Sequence, residues 1–289
     1  MSQSILAVSA APRSLKWLAQ TGRARILNLF ENSINLFNDG QDVLSIVVPG
    51  VGNGPFNVVI DAEQIPSQIE ISDQISIGEK KLNIGDVVVD LSRVRIWDPV
   101  PHWGAFADSH AAELIHSIEG QLKLSNTPEG MAGVFYSGSA DRPSKFCSKL
   151  KSGSTLLVEG LRQSDVERIM AGADTLGGLG PGLTPSGDDF LIGTMHGLWA
   201  TREGEKAKQT AELIWAGAAG GTTAFSRAWL AAAVAGEAVE SWHTLIKAAS
   251  STEGHRIEQA IKAILSIGET SGADALTGFV QVLKFGWAK

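Results

Sequence analysis

Lys81–Ile96 reads KLNIGDVVVDLSRVRI, and its reading decides the fold of the first half of the chain. It divides into two β-branched, alternating segments, Lys81 to Ile84 and Val87 to Ile96. A period of two places successive side chains on opposite faces, as in a half-buried strand. The same pattern recurs upstream at Arg25 to Phe30, Val43 to Val48, Asn57 to Ile60 and Ile69 to Ile77. Turn-forming residues separate these segments at Asn38-Asp39-Gly40, Pro49 to Pro55 and Ile77-Gly78-Glu79-Lys80. This spacing predicts an antiparallel β-rich unit, a small sandwich or barrel, rather than alternating strands and helices.

Past Trp97-Asp98-Pro99 the pattern changes. An amphipathic helix is expected from Ser109 to Leu122, with Leu114, Ile115 and Ile118 on one face, followed by a short mixed region to about Gly153. Beyond Gly160 the period is helical. Ser164 is expected to cap a segment through Met170, and further helices are expected near 188–203, 205–217, 223–235, 238–249, 254–267 and 272–286. The expected architecture is therefore α+β: a β-rich domain with one or two helices over 1–153 and an α-helical bundle over 154–289. Small residues, as at Ala216 to Ala219 and Ala231 to Gly236, let helix backbones approach closely.

Composition bounds what such a chain does. Its 289 residues carry 24 Lys+Arg against 31 Asp+Glu, with 44% hydrophobic residues, which is ordinary for a globular protein. A net charge of −7 without any Lys/Arg run lacks the electrostatic footprint of nucleic-acid or anionic-membrane binding. The single cysteine, Cys147, closes no internal disulfide, so a reducing compartment, the cytoplasm, is expected. The apolar run Ile5 to Ala11 lacks the basic residues that precede a signal-peptide core, and it is shorter than the roughly 20 residues of a membrane span. The six histidines show no metal-binding spacing, and no G-x-S-x-G occurs.

The most unusual segment is Leu176 to Gly193, LGGLGPGLTPSGDDFLIG, with five glycines and two prolines between Gly177 and Gly187. Such a loop is costly to order and points to positive φ or to a backbone that approaches something closely. It is not a P-loop, because Asp188 stands where lysine is required, and the dinucleotide fingerprint fails as well. Its second half is repeated: Ser186 to Gly193 (SGDDFLIG) aligns with Ser271 to Gly278 (SGADALTG) as S-G-x-D-x-L-x-G. Each copy opens a helix, with Ser186 or Ser271 expected as N-cap and Asp189 or Asp274 at N3. Thr222 and Ser226 lie one helical turn apart and present two hydroxyls to one face.

Helix N-termini favour anions, yet a carboxylate about 4 Å from a bound phosphate costs on the order of 4 kcal/mol at an effective dielectric near 20, against about 0.3 to 2 kcal/mol from the helix dipole. Phosphate binding therefore requires Asp189 to be turned away as a cap and Asp188 to be neutralised by Arg, Lys or a divalent cation such as Mg. The alternative is a ligand that donates N–H groups to Asp188. Spacing leaves both open.

The run Gly178 to Gly193 resembles the signature of the AllH-like proteins, a family whose type member is a subunit of bacterial oxamate carbamoyltransferase. Asn53-Gly54-Pro55-Phe56, Thr222-x-x-x-Ser226, Gly236 and Ile267 to Asp274 extend the likeness, while Glu269 stands where the family usually has histidine. The resemblance implies a role in purine and allantoin nitrogen catabolism. It implies interconversion of oxamate plus carbamoyl phosphate with oxalurate, and a hetero-oligomer with FdrA-like and AllG-like subunits. The S-T-R-T phosphate loop of aspartate and ornithine carbamoyltransferases is absent.

The expected site is a polar pocket between the β-rich unit and the bundle. Backbone N–H groups of Gly180, Gly182, Gly187 and Gly272 hold ligand oxygens there, and Thr184, Ser186, Thr222, Ser226 and Ser271 donate hydrogen bonds. Asp188, Asp189 and Asp274 are the candidates for chemistry, with Asp188 accepting from an amide or holding a cation. A non-catalytic scaffold or a metabolite-binding subunit is the rival reading.

Overall fold

The computed structural model describes residues 3–105, 111–125, 130–136, 144–250 and 254–286. The chain forms two compact units, Met1–Pro99 with Glu237–Glu240, and Val100–Gly236 with Ser241–Lys289.

The first unit contains β1 (Gln3–Ala10), α1 (Pro12–Gln20), β2 (Ala24–Leu29), β3 (Ser33–Asn38), β4 (Val43–Val47), β5 (Asn57–Ile60), β6 (Ile75–Gly78), β7 (Lys81–Ile84), β8 (Val87–Asp90) and β9 (Arg95–Ile96). Its sheet runs β2-β3-β4-β5-β1-β8-β7-β6, with β9 paired to β1. The terminal strands β2 and β6 approach each other, so the sheet is a nearly closed barrel. Ile5, Ala7, Leu36, Leu44, Ile46, Val58, Ile60, Leu82, Ile84 and Val89 fill its interior.

The β-rich barrel is as expected, but the sheet is mixed. The hairpins β2-β3, β3-β4, β6-β7 and β7-β8 are antiparallel, whereas β4-β5, β1-β8 and β1-β9 are parallel. Parallel neighbours need a crossover longer than a tight turn. The segment from Val48 to Phe56 supplies one, and β1 inserts between β5 and β8.

Two strands escaped the alternation. In β1 the sequence shows only an apolar run. β3 carries Asn35 at a buried position, where the Ser45 hydroxyl donates to its Oδ1 at 2.7 Å across the β3-β4 pair. The long strand expected at Val87 to Ile96 is broken after Asp90, whose carboxylate accepts from Ser92 N–H at 2.9 Å and turns the chain. Only the end of the Ile69 to Ile77 segment is strand.

Glu237–Glu240 belongs to this first unit by way of the Asn53 motif. Glu240 Oε2 accepts from Asn53 N–H at 2.9 Å and from its Nδ2 at 2.8 Å, the Ser9 hydroxyl donates to Asn53 Oδ1 at 2.6 Å, and Arg13 pairs with Glu237.

The second unit contains a 3-10 turn (Trp103–Ala105) and α2 (Ala111–Leu124), α3 (Met131–Tyr136), α4 (Lys145–Gln163), α5 (Val166–Leu176), α6 (Ser186–Thr201), α7 (Gly204–Ala218), α8 (Ala224–Val234), α9 (Glu240–Ala249), α10 (Gly254–Leu265) and α11 (Ser271–Gly286). Ser109, where the first helix was expected to start, lies outside the described residues, as does His110. Ser164 does not cap α5. It ends α4 in the left-handed conformation at φ 56°, and the Asp165 carboxylate caps α5 by accepting from Arg168 N–H at 3.1 Å. No helix of the described residues is long and apolar enough to cross a membrane.

The centre of this unit is the pair α6 and α11, both almost wholly buried. They run side by side in the same direction, because Gly193 faces Ala275, Gly197 faces Val282 and Gly286 faces Thr201. A Cβ on Gly193 would lie 1.7 Å from the Ala275 carbonyl oxygen, and one on Gly278 would lie 2.1 Å from that of Phe190. In the repeat, the eighth residue of each copy therefore meets the fifth of the other, an internal pseudo-two-fold. Gly187 packs against the Leu176 carbonyl and Gly272 against that of Ile264, so the repeated element is helix, loop and helix.

Candidate functional site

Two parallel helices with aligned starts bring both copies of S-G-x-D together at one end. The caps differ from the expected ones. Pro185, not Ser186, occupies the N-cap position of α6, and Asp189 N–H bonds to Pro185 O at 3.1 Å. In α11 the matching bond runs from Asp274 N–H to Thr270 O at 2.8 Å. Each serine is thus the first helical residue, and its hydroxyl turns to the other helix: Ser186 faces Asp274, and Ser271 faces Asp189. The polar residues that open each helix serve their neighbour instead of their own backbone.

All three aspartates are buried, Asp188 and Asp274 at 0% exposure and Asp189 at 6%. Asp188 braces the glycine loop: its Oδ1 accepts from Gly178 N–H at 2.9 Å and its Oδ2 from the Thr222 hydroxyl. The buried Ser226 hydroxyl stands beside it without a hydrogen bond of regular geometry. Burial raises the Asp188 pKa, against the donors Thr222, Gly178 and Ser226. Burial raises Asp189 well above the usual carboxylate range. The Ser271 and Thr184 hydroxyls oppose that rise, and the Asp274 and Asp188 charges add to it. Asp274 is pushed up to about 6 by burial, against Met131 N–H and the Ser186 and Thr270 hydroxyls. Oδ2 of Asp189 and Oδ2 of Asp274 are buried without a hydrogen-bond partner.

The loop that covers these groups is partly exposed and takes positive φ at Gly178 (70°), Gly180 (137°) and Gly182 (91°), conformations that only glycine adopts without strain. It is held at several points. Asp188 grips Gly178, the Thr223 hydroxyl donates to Leu183 O at 3.0 Å, and the hydroxyls of Thr184 and Ser271 lie 3.1 Å apart. The N–H groups of Gly187 and Gly272, expected to face a ligand, instead donate to Leu179 O and Ile267 O, each at 3.0 Å. Among the described residues the N–H groups of Gly180 and Gly182 make no hydrogen bond. The structure thus gathers Asp188, Asp189, Asp274, Thr184, Ser186, Thr222, Ser226 and Ser271 at one end of the α6-α11 pair, all within the helical unit.

Among the described residues no lysine, arginine or histidine pairs with the three carboxyls. The Arg227 guanidinium is spent on the carbonyls of Ala219 and Thr222. The described residues also hold no group of three or more His, Cys, Asp and Glu arranged for a metal ion, and neutral donors already occupy Asp188. A cleft of about 440 Å³ lined by Trp103, Trp199 and Arg202 sits at the far end of α6. The 12 residue steps from Asp189 to Thr201 span roughly 18 Å of helix, so this cleft is remote from the carboxyls.

Sequence reasoning missed Thr223, Thr270, Gly178 N–H and Met131 N–H. The doublet Thr222-Thr223 and the threonine ahead of Ser271 were visible signals. The Met131 contact was not, because it joins residues 143 apart.

No solved structure matches this chain. Residues 176–283, which include the glycine loop and both S-G-x-D copies, match the family described as oxamate carbamoyltransferase subunit AllH, and residues 6–96 match the AllH family N-terminal domain. With the barrel and the core of the helical unit both accounted for, the chain belongs to the AllH family, that of the oxamate carbamoyltransferase subunit.

Proposed function

We propose that this chain binds a small carbamoyl or carboxylate compound on its glycine loop, as a cytoplasmic subunit of a carbamoyltransferase that works in allantoin and purine nitrogen breakdown. Its partners are FdrA-like and AllG-like subunits. The observation that carries the reading is the half-exposed turn from Gly180 to Gly182, whose N–H groups are unengaged in a loop that buried Asp188 holds at Gly178. Ligand oxygens dock on those N–H groups, and the Thr184 hydroxyl orients the ligand. Asp188 and Asp189 have no basic partner, so the amide end of the ligand lies on their side of the loop and any phosphate group points away from them.

Calorimetric titration with oxamate, oxalurate and carbamoyl phosphate tests this, on the chain alone and with the partner subunits. Binding of oxamate or oxalurate, weakened about tenfold by Thr184→Val, is the expected result. Absence of binding in every mixture overturns the reading.

The rival is a non-catalytic scaffold. It draws on the complete burial of Asp188, both of whose oxygens are engaged inside the protein, and on the packing role of Gly187 and Gly272. Turnover that needs the mixture yet ignores Thr184→Val and Ser271→Ala would favour it.

A further inference from the structure

We propose that Asp189 and Asp274 form one proton-holding pair, connected to the glycine loop by the hydroxyls of Ser271 and Thr184. The pair occupies equivalent positions of the repeat, at the adjoining starts of parallel helices. The cross-over is reciprocal, each carboxyl being faced by the serine that leads the other helix.

What surrounds the pair shows what it lacks. Asp189 is faced by the hydroxyls of Ser271 and Thr184 and by the carboxyls of Asp274 and Asp188. Asp274 is faced by Met131 N–H from α3, by the Ser186 hydroxyl from α6 and by the Thr270 hydroxyl. No cationic side chain among the described residues compensates either one. Each residue is more than nine-tenths buried, and each leaves its Oδ2 without a donor. Two ionised carboxylates enclosed in this way repel each other and leave buried acceptors empty, whereas one proton between them removes a charge and supplies the missing donor.

The connection outward is short. Thr184 Oγ1 and Ser271 Oγ lie 3.1 Å apart, both half-buried, between Asp189 and the exposed loop. Asp189 is accordingly a positioning residue that acts through hydroxyls. This part rests on the reading that the loop holds the ligand. When the acceptor's amide nitrogen bonds to the carbamoyl carbon, the C–O bond to phosphate breaks and its electron pair leaves on phosphate. The N–H proton then passes through the hydroxyls to Asp189.

The pair is tested on the full chain by carbon-13 spectra of labelled aspartate carboxyls between about pH 4 and pH 9. Two coupled steps are expected, with Asp274→Asn lowering the Asp189 midpoint by about one unit or more. A midpoint indifferent to its partner overturns the pair. Should Asp274→Asn fail to fold, Ser186→Ala and Ser271→Ala serve instead: each must shift the midpoints of both carboxyls, and a change confined to the carboxyl that the serine faces overturns the pair.

The connection is tested in the assembled enzyme. Ser271→Ala is expected to move the pH profile of turnover and to lower kcat more than it changes KM, with Ser271→Thr restoring both. A profile that stays in place overturns the connection. The spectra need no ligand, so failure of the pair and failure of the loop reading give different results.

Discussion

Asp188 shows how one side chain can hold a loop. It is fully buried and accepts from Gly178 N–H and from Thr222, so Asp188→Ala strands two donors in a dry environment. The expected loss is about 2–4 kcal/mol of unfolding free energy, measured by urea denaturation. Asp274 makes a different prediction. Its pKa is raised from 3.8 to about 6 in the folded protein, so the native state binds the proton more tightly than the unfolded chain does. Stability contributed by this group is present below the unfolded value and lost as pH rises from about 4 to about 6. Relative to Asp274→Asn, the protein should lose stability across that interval. Unfolding free energies of both proteins at several pH values check this, and a constant difference would contradict it.

At the scale of elements, the contact between α6 and α11 depends on glycines that leave room for a facing carbonyl. Gly193→Ala places a methyl group 1.7 Å from Ala275 O, a distance that forces the helices apart. A loss of about 3 kcal/mol or more is expected, or failure to fold. Gly220→Ala is the control, since a Cβ there meets nothing within 4 Å, and its thermal midpoint should match the parent. Most of these elements were legible from pattern. Strands β2, β4, β5, β7 and β8 and helices α6 to α11 follow the periodicities that predict them. The exceptions have local causes. β3 buries Asn35 against Ser45, and the first half of α4 lies in a segment of mixed pattern.

At the scale of the molecule, the barrel unit is discontinuous in sequence. Glu237–Glu240 joins it through Asn53 and Arg13, residues 187 and 224 positions away along the chain. Glu240→Ala removes the acceptor of two Asn53 donors. Because that site is largely exposed, water replaces it in part, and a loss of about 0.5–1.5 kcal/mol by chemical denaturation is expected. The sequence by itself determined the order of a β-rich part before a helical part, the glycine loop and the repeated S-G-x-D, because strand period, helix period and loop chemistry are all local. Only the tertiary structure decided that the sheet is mixed, that the two repeat helices run in parallel, and that each leading serine serves the aspartate of the other helix. Those outcomes depend on which buried surfaces meet across long sequence separations, and desolvation of a carboxyl is set by that meeting, not by its neighbours along the chain.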